Sequence, residues 1–155
     1  MPLNLTVPKL YLLHIAAFND HEQQIQYLLE LDESEINKAD STSSYPIIWA
    51  SLNGHIAVVQ LLVKKGADVN AQGGDHGNVL QAACSGGHDK IVQMLLDSGA
   101  NVNAQGGRYG NALQAVFSNK HEDIGDTAIV RCQSSESVSL PHPQRLPFSP
   151  GFYIV

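Results

Sequence analysis

Seven histidines and two cysteines are the residues of this chain best suited to chemistry. Four of the histidines, His21, His55, His88 and His121, recur at intervals of 34, 33 and 33 residues. Histidines held together can bind a metal ion or move protons. Shared coordination needs donors about 2 Å from one ion, whereas residues in one slot of successive helical units stand about 10 Å apart, the spacing of packed helices. The four are therefore read as hydrogen-bonding residues between units. Cys84 lies among small and apolar residues with no base placed beside it, so packing accounts for it better than nucleophilic attack. Gly73-Gly74-x-x-Gly77 has the outline of a phosphate-cradling loop but lacks the Lys-Ser/Thr pair of one, and it returns at 106–110. The residues assemble no catalytic set, no metal set and no cofactor site, and the chain is read as not an enzyme.

The recurrence of these residues points to what positions them. Gly66-Ala67-Asp68-Val69-Asn70-Ala71-Gln72-Gly73-Gly74 reappears as Gly99-Ala100-Asn101-Val102-Asn103-Ala104-Gln105-Gly106-Gly107, and 15 of 23 positions are identical between 66–88 and 99–121. Asn37, Asn70 and Asn103 keep the same interval of 33. A period of this size marks a solenoid of small stacked units. Such a stack offers an extended binding surface in place of a closed pocket. The units fall at about 11–44, 45–77, 78–110 and an incomplete 111–130, with first helices starting near Leu12, Pro46, Val79 and Ala112. The first unit carries one extra residue between His21 and Asn37, and residues 1–9 form a lead-in.

The unit 45–77 predicts its own structure. Pro46 suits the first turn of a helix, where an N–H is not needed. Asn53-Gly54 ends that helix. After His55, the apolar Ile56, Val58, Val59, Leu61, Leu62 and Val63 form a broad stripe at helical spacing. Lys64 and Lys65 favour the last turn, and Gly66 closes it. An extended Asp68-Val69-Asn70 and a glycine-rich turn or hairpin finger at 73–77 follow. In the next two units Asn78 and Asn111 stand just before a helix, as N-caps do. Ala82, Ala83 and Ala115 are small enough to let neighbouring helix pairs approach.

Composition narrows the partner. The net charge of −6 and a pI near 5.5 argue against nucleic acid or an acidic membrane bound by bulk charge. Two cysteines, one in a repeat and one at position 132, imply neither a disulfide framework nor a zinc site. The sequence shows no basic-then-apolar leader and no apolar run of the ~18 residues that spans a membrane. A chain of the cytoplasm or nucleus is the expectation.

These repeats resemble ankyrin repeats. That family's Thr-Pro-Leu-His-x-Ala-Ala-x-x-Gly-His pattern falls on Tyr45-Pro46-Ile47-Ile48-Trp49-Ala50-Ser51-Leu52-Asn53-Gly54-His55 and on Tyr11-Leu12-Leu13-His14-Ile15-Ala16-Ala17-Phe18-Asn19-Asp20-His21. Its Gly-Ala-Asp-Val-Asn-Ala stands at 66–71. The likeness covers residues 10–124, about three quarters of the chain. It implies an all-α solenoid in which each unit is a β-turn or hairpin finger followed by two antiparallel helices. Three features depart from the pattern. Gln81 and Gln114 replace the family's His, Asn-Val and Asn-Ala replace Thr-Pro, and the usual finger Asp, kept at Asp40, becomes Gly73 and Gly106. The variant resembles arrays in large fungal proteins, and its fingers are expected to be looser.

After Ile124 the pattern fails: Gly125 and Thr127 occupy apolar slots. The serine- and proline-rich residues 131–155 read as a disordered tail or as sequence that is not the native continuation. Two readings of function stay open beside the weaker one of an enzyme. The first is a protein-interaction module that binds another protein through the concave groove of fingers and first helices, as the resemblance implies. The second is a detached piece of a larger signalling receptor, acting as sensor or spacer. Slots that differ between units are the candidate partner contacts. They are Asp75 and His76 against Arg108 and Tyr109 at the finger tips, and Leu52 and Asn53 against Ser85, Ser118 and Asn119 at the ends of first helices. Phe18 and Asn19 match these in unit one, and Trp49 is an anchor, or else a ring packed between units.

Overall fold

The computed structural model describes residues 9–120. The expected helix to about 130, the tail and His121 lie outside the described residues. Seven helices appear within them: α1 (Lys9–Phe18), α2 (Glu22–Leu31), α3 (Pro46–Asn53), α4 (Ile56–Lys64), α5 (Val79–Gly86), α6 (Asp89–Asp97) and α7 (Ala112–Ser118). The first helices of each unit, α1, α3, α5 and α7, lie side by side in one layer, and α2, α4 and α6 form the second. Between the layers Leu13, Ile25, Ile47, Val58, Leu62, Leu80, Ile91 and Leu95 are fully buried. The expected close approach of units is achieved at Ala82, Ala83 and Ala115, which are wholly inaccessible.

Local signals place most ends where the sequence puts them. Pro46 opens α3, and the left-handed Gly54 follows its last residue. Asn78 and Asn111 cap α5 and α7, their side-chain oxygens accepting from the Gln81 and Gln114 amides at 2.8 and 2.9 Å. Three details differ from expectation. Helix α1 begins at Lys9, three residues earlier, because no helix breaker lies between Pro8 and Leu12. Unit one turns without a glycine: α2 has ten residues against nine in α4 and α6, and a 3-10 turn (Glu33–Asn37) capped by Asp32 follows it. That accounts for the extra residue. Finally, Asp68-Val69-Asn70 is not extended. The Asp68 carboxylate accepts the Asn70 amide at 2.8 Å and the Asp68 carbonyl accepts the Ala71 amide at 3.1 Å, so the side chain folds its own backbone into a turn.

The residues that recur with the repeat are spent joining units. Asn37 donates to the Gly66 carbonyl at 3.0 Å and accepts the Asp68 amide at 2.8 Å. One period later Asn70 does the same with Gly99 and Asn101, at 3.2 and 2.7 Å. The Nε2 of His55 donates to the Phe18 carbonyl at 2.8 Å, and that of His88 to the Leu52 carbonyl at 2.9 Å. Each ring thus satisfies a carbonyl left open at the end of the preceding first helix.

Candidate binding groove

The fingers that rim the groove all close through one backbone bond: Asp40, Gly73 and Gly106 donate to the carbonyls of Ser44, Gly77 and Gly110 at 2.7–2.8 Å. Their reinforcement differs. In the first finger the Asp40 carboxylate accepts the Thr42 and Ser44 amides at 2.7 and 3.0 Å, the Thr42 hydroxyl at 2.6 Å, and Trp49 Nε1 at 2.9 Å. Burial acts to raise the pKa of that carboxyl, but the donors from Thr42, Trp49 and Ser44 outweigh it and hold the group below its ordinary value of 3.8. The second finger has no such clamp. Gly73 instead packs so closely on the first finger that a Cβ there would collide with the Ser43 carbonyl oxygen. The expected loosening is therefore a change of support, with backbone closure kept.

Two clusters of candidate contacts share this face. At its N-terminal end Phe18 and Trp49 meet edge to face, ring centres 5.8 Å apart, and Trp49 meets His76 at 6.1 Å. Phe18, Ile15 and Trp49 form the apolar wall of a cleft of about 380 Å³, completed by His14, Asn19, Asp40 and Ser41. Trp49 is half-buried: its ring sits between Phe18 of unit one and His76 of the finger, and it also lines this cleft. His76 is half-buried too. Burial, then the Arg108 charge, lower its pKa against the opposing pull of Asp75, leaving a neutral ring at pH 7.

At the other end Arg108 Nη2 lies 3.4 Å from the Asp75 carboxylate, one finger tip bonded to the next, and the Arg108 amide donates to the Asp75 carbonyl at 2.9 Å. The guanidinium is 5.9 Å from the Tyr109 ring centre. Ser85 donates to the Tyr109 hydroxyl at 3.3 Å. Donors from Ser85 and Asn119, helped by Arg108, outweigh burial and lower the pKa of that phenol. Of the remaining candidates, Asn53 donates to the Phe18 carbonyl at 3.2 Å, Leu52 is half-buried under the His88 bond, and Ser118 is exposed at the end of α7.

Ile15, Asp40 and Ser41 were not among the sequence candidates. Ile15 was within reach, since it is 34 residues before Trp49 and shares its slot with Ala82 and Ala115. Asp40 looked like a family residue of the turn, and only geometry brings it to the cleft. Cys84 is fully buried, and burial pushes its thiol up to about 12, so it carries no thiolate at neutral pH. Among the described residues no three metal-ligating side chains come together, and no helix is long and apolar enough to cross a membrane.

Known proteins share this architecture. The family profile described as Ankyrin repeats (3 copies) matches residues 13–106, more than half of the chain. Alpha-latrotoxin-Lh1a of Latrodectus hasselti is 47% identical over 58 residues, covering 37% of this chain and 4% of the toxin. Palmitoyltransferase akr1 of Schizosaccharomyces pombe is 35% identical over 71 residues, 46% of this chain and 10% of that protein. Ankyrin repeat family A protein 2 of Homo sapiens is 40% identical over 53 residues, 34% of this chain and 17% of that protein. The chain thus spans less than a fifth of the length of each of these relatives.

Proposed function

The chain belongs to the ankyrin-repeat family, whose repeats generally mediate protein–protein interaction without catalysis, and on that premise we propose that it binds a partner protein through the face made by its fingers and first helices. The observation that carries this reading is a division of labour. The repeated Asn37, Asn70, His55 and His88 are committed to bonds between units. The residues that vary from unit to unit, Ile15, Phe18, Trp49, Asp75, Arg108 and Tyr109, gather on one face. A rigid, preformed face of this kind binds by shape complementarity with little ordering cost. Trp49, Arg108 and Tyr109 are its anchors, being of the types that dominate interface energies. In this reading the chain works in the cytoplasm and has no catalytic role.

The test compares two double variants against a partner captured with the full chain. Arg108→Ala with Tyr109→Ala should weaken binding, while Gln60→Ala with Gln93→Ala, exposed on the second-helix layer, should not. The opposite pattern in folded proteins overturns the groove assignment. A second reading has these repeats serving as sensor or spacer within a longer protein. It is supported by the small share, 4–17%, that the matched segments make of their relatives.

A further inference from the structure

Resting on the groove reading above, we propose that the N-terminal end of the groove takes an arginine or lysine side chain from an extended segment of the partner, its stem along Ile15 and Phe18 and its charged head at Asp40. Three independent features meet there. The first is exposed apolar area: Ile15 and Phe18 are 53% and 48% exposed although they are neighbours on one helix face, beside a half-buried Trp49. Long cationic side chains cover such surface with their methylene stems. The second is the aromatic pair itself, since a cation near the face of Trp or Phe is attracted by the ring quadrupole, most strongly for Trp.

The third is an uncompensated charge. Asp40 is the one carboxylate among the residues lining the cleft, and no Lys or Arg lines it. Three donors fall on Asp40 Oδ1, but Oδ2 accepts only Trp49 Nε1. An ionised carboxylate offers about four acceptor directions, two on each oxygen, so Oδ2 keeps one open. The ion pairs of the described residues join Lys38 to Glu35, His55 to Asp20, and Arg108 to Asp75, and leave Asp40 outside them. The net charge of −6 favours approach of a cationic segment over an anionic one. At about 380 Å³ the cleft lies at the small end of ligand sites, a size for a side chain and its neighbours. The donors that lower the Asp40 pKa keep it charged throughout the neutral range.

The experiment is a selection of random peptides displayed on phage against the full chain, followed by titration of synthetic winners. Emission of Trp49, the chain's single tryptophan, reports occupancy of the cleft. The expected winners carry Arg or Lys beside an apolar residue, alter Trp49 emission, and weaken with added salt. Ser41→Lys puts a like charge at the rim from an exposed position and should weaken them about tenfold. Phe18→Ala should weaken them as well. Circular dichroism establishes that both variants fold. Winners that alter Trp49 emission and need Phe18, yet are acidic or purely apolar and indifferent to Ser41→Lys, overturn the cationic assignment and leave the groove reading standing. Winners that ignore both Trp49 and Phe18 but are lost with Arg108→Ala and Tyr109→Ala overturn the cationic assignment and leave the groove reading standing. Winners indifferent to all four residues, or a selection that enriches nothing, count against both.

Discussion

The first finger and the second do the same job with opposite chemistry. Both close through one backbone bond of similar length, Asp40 to Ser44 and Gly73 to Gly77. The first is braced from inside by a carboxylate that also holds Trp49. The second has no brace and gains support by pressing its bare backbone on the first. The helix behind changes in step: Asp40 and Trp49 become Gly73 and Ala82, then Gly106 and Ala115, all at intervals of 33. Removing the carboxylate removes the partner of the indole N–H, and a small residue takes that slot. Along the first helices the groove therefore passes from Trp49, held by a carboxylate, to Ala82 and Ala115, and that change is built from a single linked exchange.

The sharpest way to break this comparison is to restore a side chain where the second finger needs none. Gly73→Ala forces a methyl group against the Ser43 backbone, and overpacking of this kind costs roughly 1–3 kcal/mol. We expect about 2 kcal/mol in urea unfolding. The same change at Gly106, where a Cβ would meet nothing within 4 Å, strains only the backbone at φ +148° and should cost about 1 kcal/mol. Equal losses at the two sites would show that close packing is not what the second finger relies on.

Asp40→Ala attacks the other support. It leaves the Thr42 and Ser44 amides and the Trp49 N–H without their acceptor. Thr42 is exposed and can turn to water but Ser44 is only 2% exposed, so the expected loss is about 1–2 kcal/mol. Trp49 emission should shift with it. Acid reaches the same clamp without a mutation. Because the folded carboxyl titrates below 3.8, its contribution is complete above the unfolded value and disappears as pH falls through the folded one. Hydrogen-exchange protection at the Thr42 and Ser44 amides should therefore drop below about pH 4 before that of Gly73 and Gly106, whose bonds run to carbonyls. Simultaneous loss in all three fingers would mean that the carboxylate is no local brace.

These contrasts explain what could be read in the sequence. Helix ends were legible wherever a residue acts on its own neighbours, as Pro46, Asn78, Asn111 and Gly54 do. The period itself gave the stacking, because residues such as Asn70 must repeat to reach the same atoms of the next unit. What escaped depends on distance through space. Asp40 looked like an ordinary turn residue until Trp49, nine residues on, proved to donate to it. Arg108 and Asp75 were set against each other as alternatives in one slot, yet the stack brings the two slots together. Variable residues in a repeat are neighbours by construction, and treating them as independent contacts overlooks that they meet.

That meeting bounds what the Arg108–Asp75 pair can do for the fold. At 3.4 Å, with Arg108 55% and Asp75 82% exposed, both charges remain hydrated and the pair is screened by salt. Such pairs contribute between nothing and about 1 kcal/mol. The Arg108 amide, which bonds the Asp75 carbonyl at 2.9 Å, survives any side-chain change. Arg108→Ala should thus leave stability within about 0.5 kcal/mol while removing a charge from the finger tips at the far end of the groove. A larger loss in urea would mean that the pair braces the third finger as Asp40 braces the first. The two ends of the groove would then differ in residue type alone and share the principle of a charged clamp.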